Sequence, residues 1–157
     1  MQHYRADNYQ ARSSVGYLLK RAHSLLVDQL ELAVAGDDIT MTQWIVLMHL
    51  RDGLAINASD LCSQLRHDSG ALTRLIDQLE ARGLVQRERS REDRREVQLR
   101  LTEAGLQIVA SLVPKVVERL NFALRDFSGA ETAALNRLLT KLIASLERAS
   151  TESGAAA

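Results

Sequence analysis

Disulfides, membrane spans and net charge are all missing from this chain, and each absence excludes something. With Cys62 as the only cysteine, no intrachain disulfide can form. Cys62 lies among apolar neighbours in a predicted helix, where it reads as a buried spectator thiol. No apolar run approaches the length of a membrane span, and the opening stretch "MQHYRADNYQARSS" lacks a signal-peptide core, so the cytoplasm is the expected compartment. Twenty Lys and Arg balance twenty Asp and Glu. That neutrality argues against a generally adhesive basic protein. It does not exclude nucleic acid, because the sorting of charge onto faces decides that. Lysine is itself missing from Ala55 to Ala110, where every Lys/Arg position is Arg. Arg offers a planar fork suited to phosphates and base edges.

Catalytic signatures are missing too. His3, His23, His49 and His67 lack the spacing of a metal motif, and no nucleophile stands beside an evident base. No enzyme activity, metal or cofactor is expected. Proline occurs once, at Pro114, and aromatics are 4% of residues, whereas 46% are hydrophobic and many of these are Leu or Ala. At 157 residues the chain is one domain's length, and its composition points to a mostly helical fold with a real core.

The apolar period agrees with helices. Val15, Leu18, Leu19, Ala22, Leu25, Leu26 and Leu30 recur at helical spacing between about Ala11 and Ala35, and Gly36 ends the run. A second helix opens at Thr40 with Gln43 three residues on, a capping-box pattern, and has Trp44, Leu47 and Met48 as its inner stripe. A short third helix starts after Asn57, with Ala58, Leu61, Cys62 and Leu65 inward. Asp68 then caps "SGALTRLIDQLEARG", in which Leu72, Leu75, Ile76 and Leu79 fall at i, i+3, i+4 and i+7 and Gly83 supplies the stop. Two short helices across a tight turn make a helix-turn-helix.

After Gly83 the period changes from 3.6 to 2. "LVQRERS" and "EVQLRL" flank the charged tip "SREDRR", which predicts a hairpin. Thr102, with Glu103 and Gly105, starts a further helix to about Phe127, with a bend at Pro114. Ser128 caps the last helix, with Glu131 three residues on, and the tail from 151 to 157 is expected to be disordered.

The inward stripe of the second helix of the pair leaves Ser69, Gly70, Thr73, Arg74, Asp77 and Gln78 outside. Short side chains at the start of such a helix can enter a major groove, and Arg74 can fork onto guanine or phosphate. Arg66 and His67 in the preceding turn are placed for phosphate. At the hairpin tip Arg91, Arg94 and Arg95 stand beside Asp93, which would orient an Arg inserted into a minor groove. Most charged turns are merely solvated. This one follows directly on a helix-turn-helix, which favours the DNA-binding reading.

The stretch "DSGALTRLIDQLEARGLVQRERSREDRREVQLRLTEAG" resembles the central region of the MarR family of bacterial transcription regulators. The family's wing motif matches Asp93, Arg95, Val97, Leu99, Leu101, Thr102 and Gly105, and Gly70 to Val85 match its recognition helix and the following turn. The resemblance implies a mainly α fold with a small β-hairpin wing, a winged helix-turn-helix that dimerises through its N- and C-terminal helices. The implied layout is an N-terminal dimerisation helix at 1–36, a DNA-binding domain at 37–101, C-terminal dimerisation helices at 102–150 and the tail. Leu135, Leu138, Leu139, Leu142, Ile143 and Leu146 agree with a dimer, because they give the last helix more apolar surface than it needs alone.

The resemblance further implies a repressor that binds a palindromic operator as a homodimer and is released by a small aromatic carboxylate or phenol. Arg12, Tyr17, His23, Trp44 and Met48 are the candidates to hold such an effector. Tyr17 and His23 fall on the first helix and Trp44 and Met48 on the second. One branch of the family senses peroxide through a Cys near the start of the first helix. Here Ser13, Ser14 and Val15 stand in that region, so thiol sensing of that kind is not expected. Two alternatives remain: a DNA-binding regulator with no ligand, controlled by its abundance, and a helical dimer that binds no DNA.

Overall fold

A computed structural model describes residues 3–65, 68–89 and 97–154. Six helices and one hairpin are found among them, in the order α1 (Val15–Val34), α2 (Met41–Arg51), α3 (Ala58–Leu65), α4 (Ser69–Ala81), β1 (Val85–Arg89), β2 (Val97–Leu101), α5 (Glu103–Ala123) and α6 (Gly129–Gly154). The chain divides into two units, residues 1–119 and 120–157, with the break inside α5.

Helix starts follow side-chain chemistry. The α1 helix begins at Val15 and not near Ala11, because Ala11–Ser13 form a 3-10 turn and Ser14 takes the cap. The Ser14 hydroxyl accepts from the Tyr17 N–H at 3.3 Å and donates to the Ala11 carbonyl at 2.7 Å. Thr40 and Gln43 form the expected reciprocal box at the start of α2. Asn57 accepts from the Asp60 N–H at 2.8 Å, and Asp68 from the Ala71 N–H at 3.0 Å. Each cap satisfies one of the amides that a helix start leaves without a partner.

The core of the first unit gathers Leu47 of α2, Leu61 of α3, Leu72, Ile76 and Leu79 of α4, and Val109 and Leu112 of α5, all essentially inaccessible to solvent. The stripe expected on α4 is therefore the buried one, with Leu75 half-buried. On α3 the stripe is narrower than expected. Ala58 is exposed, because it occupies the first helical position at the solvent edge, while Cys62 and Leu65 are half-buried around Leu61.

Gly83 ends α4 in the left-handed region at φ +68°. Its N–H donates to the Glu80 carbonyl and the Leu84 N–H to that of Leu79, which satisfies two terminal carbonyls and aims the chain into β1. The strands pair antiparallel in the register Val85↔Leu101, Arg87↔Leu99, Arg89↔Val97. On the other edge of β2, the Leu99 N–H donates to the Ile56 carbonyl at 2.8 Å, which ties the hairpin to the segment that leads into α3.

The hairpin closes on Thr102. Its N–H donates to the Leu84 carbonyl at 3.1 Å, and its hydroxyl donates to the Gly83 carbonyl at 2.6 Å and accepts from the Gly105 N–H at 3.0 Å. Helix α5 continues through Pro114 and ends at Ala123, short of the expected Phe127. It buries Gly105, Val109, Leu112 and Val116 at spacings of four, three and four, one face of a helix.

In the second unit, the Ser128 N–H and hydroxyl both donate to Glu131 at 2.8 and 2.7 Å, and these bonds hold the Glu131 carboxyl below its ordinary pKa. Helix α6 runs to Gly154, which corrects the expected disordered tail from residue 151. Within that stretch Ser150 and Thr151 donate back to the carbonyls of Leu146 and Arg148. Residues 155–157 lie outside the described ones. No described side chain of α6 is buried. Among the described residues no helix is long and apolar enough to cross a membrane.

A Cβ at Gly105 would stand 2.1 Å from the Leu84 carbonyl oxygen, whereas one at Gly16 of α1 would meet nothing within 4 Å. Gly105→Ala should therefore destabilise by about 1–3 kcal/mol through forced displacement of backbone. Gly16→Ala should be neutral or stabilise by up to about 1 kcal/mol. Urea midpoints compared at equal m-values check both. Equal midpoints for the two variants would refute the close approach.

Candidate nucleic-acid interface

Helix α4 presents an uninterrupted polar face. Ser69, Gly70, Thr73, Arg74, Asp77 and Gln78 are all exposed, while Leu72, Ile76 and Leu79 anchor the opposite side. Near its start the side chains are short, so the backbone can approach a ligand closely. The Thr73 hydroxyl donates to the Ser69 carbonyl at 2.8 Å, which spends its proton inside the helix and leaves oxygen lone pairs outward. Arg74 has no hydrogen-bond or ion-pair partner among the described residues.

The other half of the face is engaged by protein. Asp77 accepts from Arg87 of β1 at 2.6 Å, and the same guanidinium donates to Glu80 one turn further along α4. The hydrogen bond that Arg87 donates to Asp77 is the main reason the Arg87 pKa is raised, with Glu80 adding attraction. Gln78 accepts from the Gln43 amide of α2 at 3.4 Å. Gln43 is 6% exposed and joins α2 to α4: its carbonyl oxygen accepts from the Thr40 N–H and from Arg82 at 3.5 Å, while its amide reaches Gln78. Arg82, just past α4, also donates to the Asp38 carbonyl at 2.6 Å.

Arg66, His67, Arg91, Asp93, Arg94 and Arg95, all expected to approach DNA, lie outside the described residues. The base of the hairpin carries a cross-strand pair, Arg100 with Glu88 at 3.0 Å. The expected site residues thus divide into an outward group (Ser69, Gly70, Thr73, Arg74) and an engaged pair (Asp77, Gln78).

Sequence reasoning misses Arg87, although a signal for it exists. In a strand of period two, Arg87 shares a face with buried Val85, and the preceding helix offers acids at Asp77 and Glu80.

The five effector candidates do not gather in either described hollow. Arg12, Tyr17 and His23 are exposed, Met48 is half-buried, and Trp44 is 5% exposed as part of the core. The hollows, of about 300 and 370 Å³, lie instead beside β2 and around the segment between α2 and α3. Among the described residues no three His, Cys, Asp or Glu side chains gather as a metal site.

Removing the cap of α4 should loosen the end that offers the short side chains. Asp68→Ala is expected to cost about 1 kcal/mol of stability and to speed amide exchange at Ala71 more than at Leu79. Unchanged exchange at Ala71 would show that the cap contributes nothing.

The comparisons agree with this architecture. The sequence pattern described as "MarR family" matches residues 39–97. An HTH-type transcriptional regulator of Bacillus subtilis, YfiV, is 35% identical over 115 residues, 73% of this chain and 72% of that one. The structure of Bordetella bronchiseptica BpsR, whose DNA binding is regulated by 6-hydroxynicotinic acid, superposes with a TM-score of 0.75 at 29% identity, covering 86% of this chain and 96% of the other. A mutant of Escherichia coli MarR, complexed with operator DNA, gives a TM-score of 0.72 at 29% identity over 82% of this chain and 92% of that one. Two short helices packed through a buried apolar stripe, a hairpin closed on Thr102 and a relative at this level of identity lead to one conclusion: the chain belongs to the MarR family of transcription regulators.

Proposed function

We propose that this protein is a sequence-specific DNA-binding repressor that occupies an inverted-repeat operator as a homodimer. The observation that carries the reading is the polar face of α4, where Ser69, Gly70, Thr73 and Arg74 stand outward on a helix anchored by Leu72, Ile76 and Leu79. In this reading Thr73 and Arg74 meet base edges, Arg66 and His67 meet phosphates, and Arg95, oriented by Asp93 beside Arg91 and Arg94, enters the minor groove. The operator complex of the similar Escherichia coli protein supports it.

The dimer rests on uncovered apolar surface. Leu18, Leu25 and Leu26 of α1 are exposed, as are Leu138, Ile143 and Leu146 of α6. Faces of that kind need a partner, and a second copy supplies one. Residues 1–36 and 102–150 form the dimerisation part in this reading and 37–101 the DNA-binding part.

A small aromatic acid or phenol is the proposed effector, on the strength of the ligand control seen in BpsR. Arg12 in the turn before α1, Tyr17 and His23 of α1, and Trp44 and Met48 of α2 are its proposed contacts. The burial of Trp44 favours a second reading, regulation by abundance alone, because the ring has little face left for a ligand.

Selection from a random DNA pool should return an inverted repeat with half-sites about 10 base pairs apart, bound by a species that sediments as a dimer. Arg74→Ala should change which bases are selected. Arg95→Ala should weaken binding by roughly 1–3 kcal/mol and lower the salt slope by about one, and Asp93→Ala should do less. No enriched sequence, or full-affinity binding by a monomer, would refute the reading. Titrating aromatic acids against the bound operator separates ligand control from control by abundance: release by at least one supports the former, release by none the latter.

A further inference from the structure

Among the described ion pairs of the hairpin, those of Arg87 have the least exposed cation. Arg87 sits in the middle of β1, on the face of Val85, with its side chain one-third exposed. From there it spans two carboxylates of α4, reaching Asp77 at 2.6 Å and Glu80 one turn on. We propose that Arg87 is a positioning residue for DNA reading, which fixes the wing strand against the reading helix and cancels both carboxylates on it. This role rests on the DNA-binding reading given above.

Three observations converge on it. First, Asp77 lies three residues from Arg74 and four from Thr73, on the same exposed stripe of α4. An unpaired carboxylate there would face a duplex that carries a negative charge about every 1.7 Å of its axis. The second is the chemistry of the partner. A guanidinium is planar and rigid, so when it donates to acids on successive turns it fixes both the separation and the rotation of strand and helix. A single pair would leave a pivot.

Third, the two elements it joins are those that would read different grooves. Binding elements must be held to a fraction of an ångström to act together. The base of the hairpin is already fixed by Thr102, and at the Arg87–Leu99 rung the Leu99–Ile56 bond ties β2 to the segment before α3 while Arg87 ties β1 to α4. As a guanidinium it stays charged at any ordinary pH.

The test uses the full-length dimer with its selected operator and a scrambled duplex of equal length. It is run at a temperature where circular dichroism shows every variant folded. Asp77→Asn removes a negative charge beside DNA, so a free surface acid at this position predicts tighter binding. The positioning role predicts the opposite: a loss of roughly 3- to 30-fold in operator affinity, with scrambled-duplex affinity unchanged or raised. Arg87→Met should show the same loss of discrimination. Adding Asp77→Asn to it should cost little more, because both act on one contact. Arg87→Lys should restore only part, since it keeps the charge and loses the fork.

A purely stabilising role would lower Tm and leave the ratio of operator to scrambled affinity intact, which overturns the proposal. So does tighter operator binding by Asp77→Asn. A drop of about one in the salt slope of Arg87→Met also overturns it, since Arg87 would then be a phosphate contact itself. If Arg87→Met does not fold, Asp77→Asn and Arg87→Lys carry the test. A wild-type protein that selects no sequence refutes the DNA-binding reading itself, before any variant is compared.

Discussion

Three elements meet at the carbonyls of Gly83 and Leu84, and the arrangement of the DNA-facing half depends on that meeting. The first carbonyl accepts the Thr102 hydroxyl and the second the Thr102 N–H, so the end of α4, the base of the hairpin and the start of α5 share one point. Gly105 makes the approach possible by carrying no Cβ, and Gly83 makes the turn possible by taking a positive φ. Neither glycine contributes contact area. Both permit backbones to come close enough for hydrogen bonds that larger residues would prevent.

With the backbone closed at that point, charge can be assigned to positions. The chain has no net charge, yet its acids are not scattered along α4 at random. Asp77 and Glu80 are answered by Arg87 from β1, Asp38 by Arg82 just beyond α4, and Asp37 by Lys115 of α5 at 2.5 Å. Arg74 is left facing outward without a partner among the described residues. A neutral protein can present a cationic reading surface in this way, because neutrality is a sum and recognition is local.

The fold is legible in the sequence wherever local chemistry decides. Caps at Thr40, Asn57, Asp68, Thr102 and Ser128, the stop at Gly83, and the stripe Leu72, Ile76 and Leu79 are short-range features, and they stand where spacing predicts. What escapes is long-range or cumulative. The start of α1 lies later than expected because Ser14 competes successfully with residues near Ala11 for the cap. The tail runs helical to Gly154 although Ser150 and Thr151 are weak helix formers on propensity, and their hydroxyls donate to the helix's own carbonyls. The outward register of Asp77 suggests a DNA contact, but register does not reveal that a strand residue ten positions later reaches across to it. The helical stripe that makes Trp44 a ligand candidate fits the core equally well. Trp44 is 5% exposed, as a core residue would be.

The links that orient α4 are individually weak, and this bears on how such a helix could be regulated. Exposed ion pairs contribute about 0–1 kcal/mol each, and a neutral hydrogen bond such as Gln43 to Gln78 contributes about 1 kcal/mol. The hydrophobic anchor is far larger, since each buried Leu or Ile is worth roughly 1.5–3 kcal/mol. A ligand with a differential affinity of about 1.4 kcal/mol between two arrangements shifts DNA affinity tenfold. That is the scale of one polar link and well below the scale of the anchor. One of these links comes from outside the helix pair: Asp38, between α1 and α2, holds Arg82 at the end of α4, while its neighbour Asp37 holds Lys115 of α5. The polar links therefore set the orientation of α4 only within what its hydrophobic anchor allows.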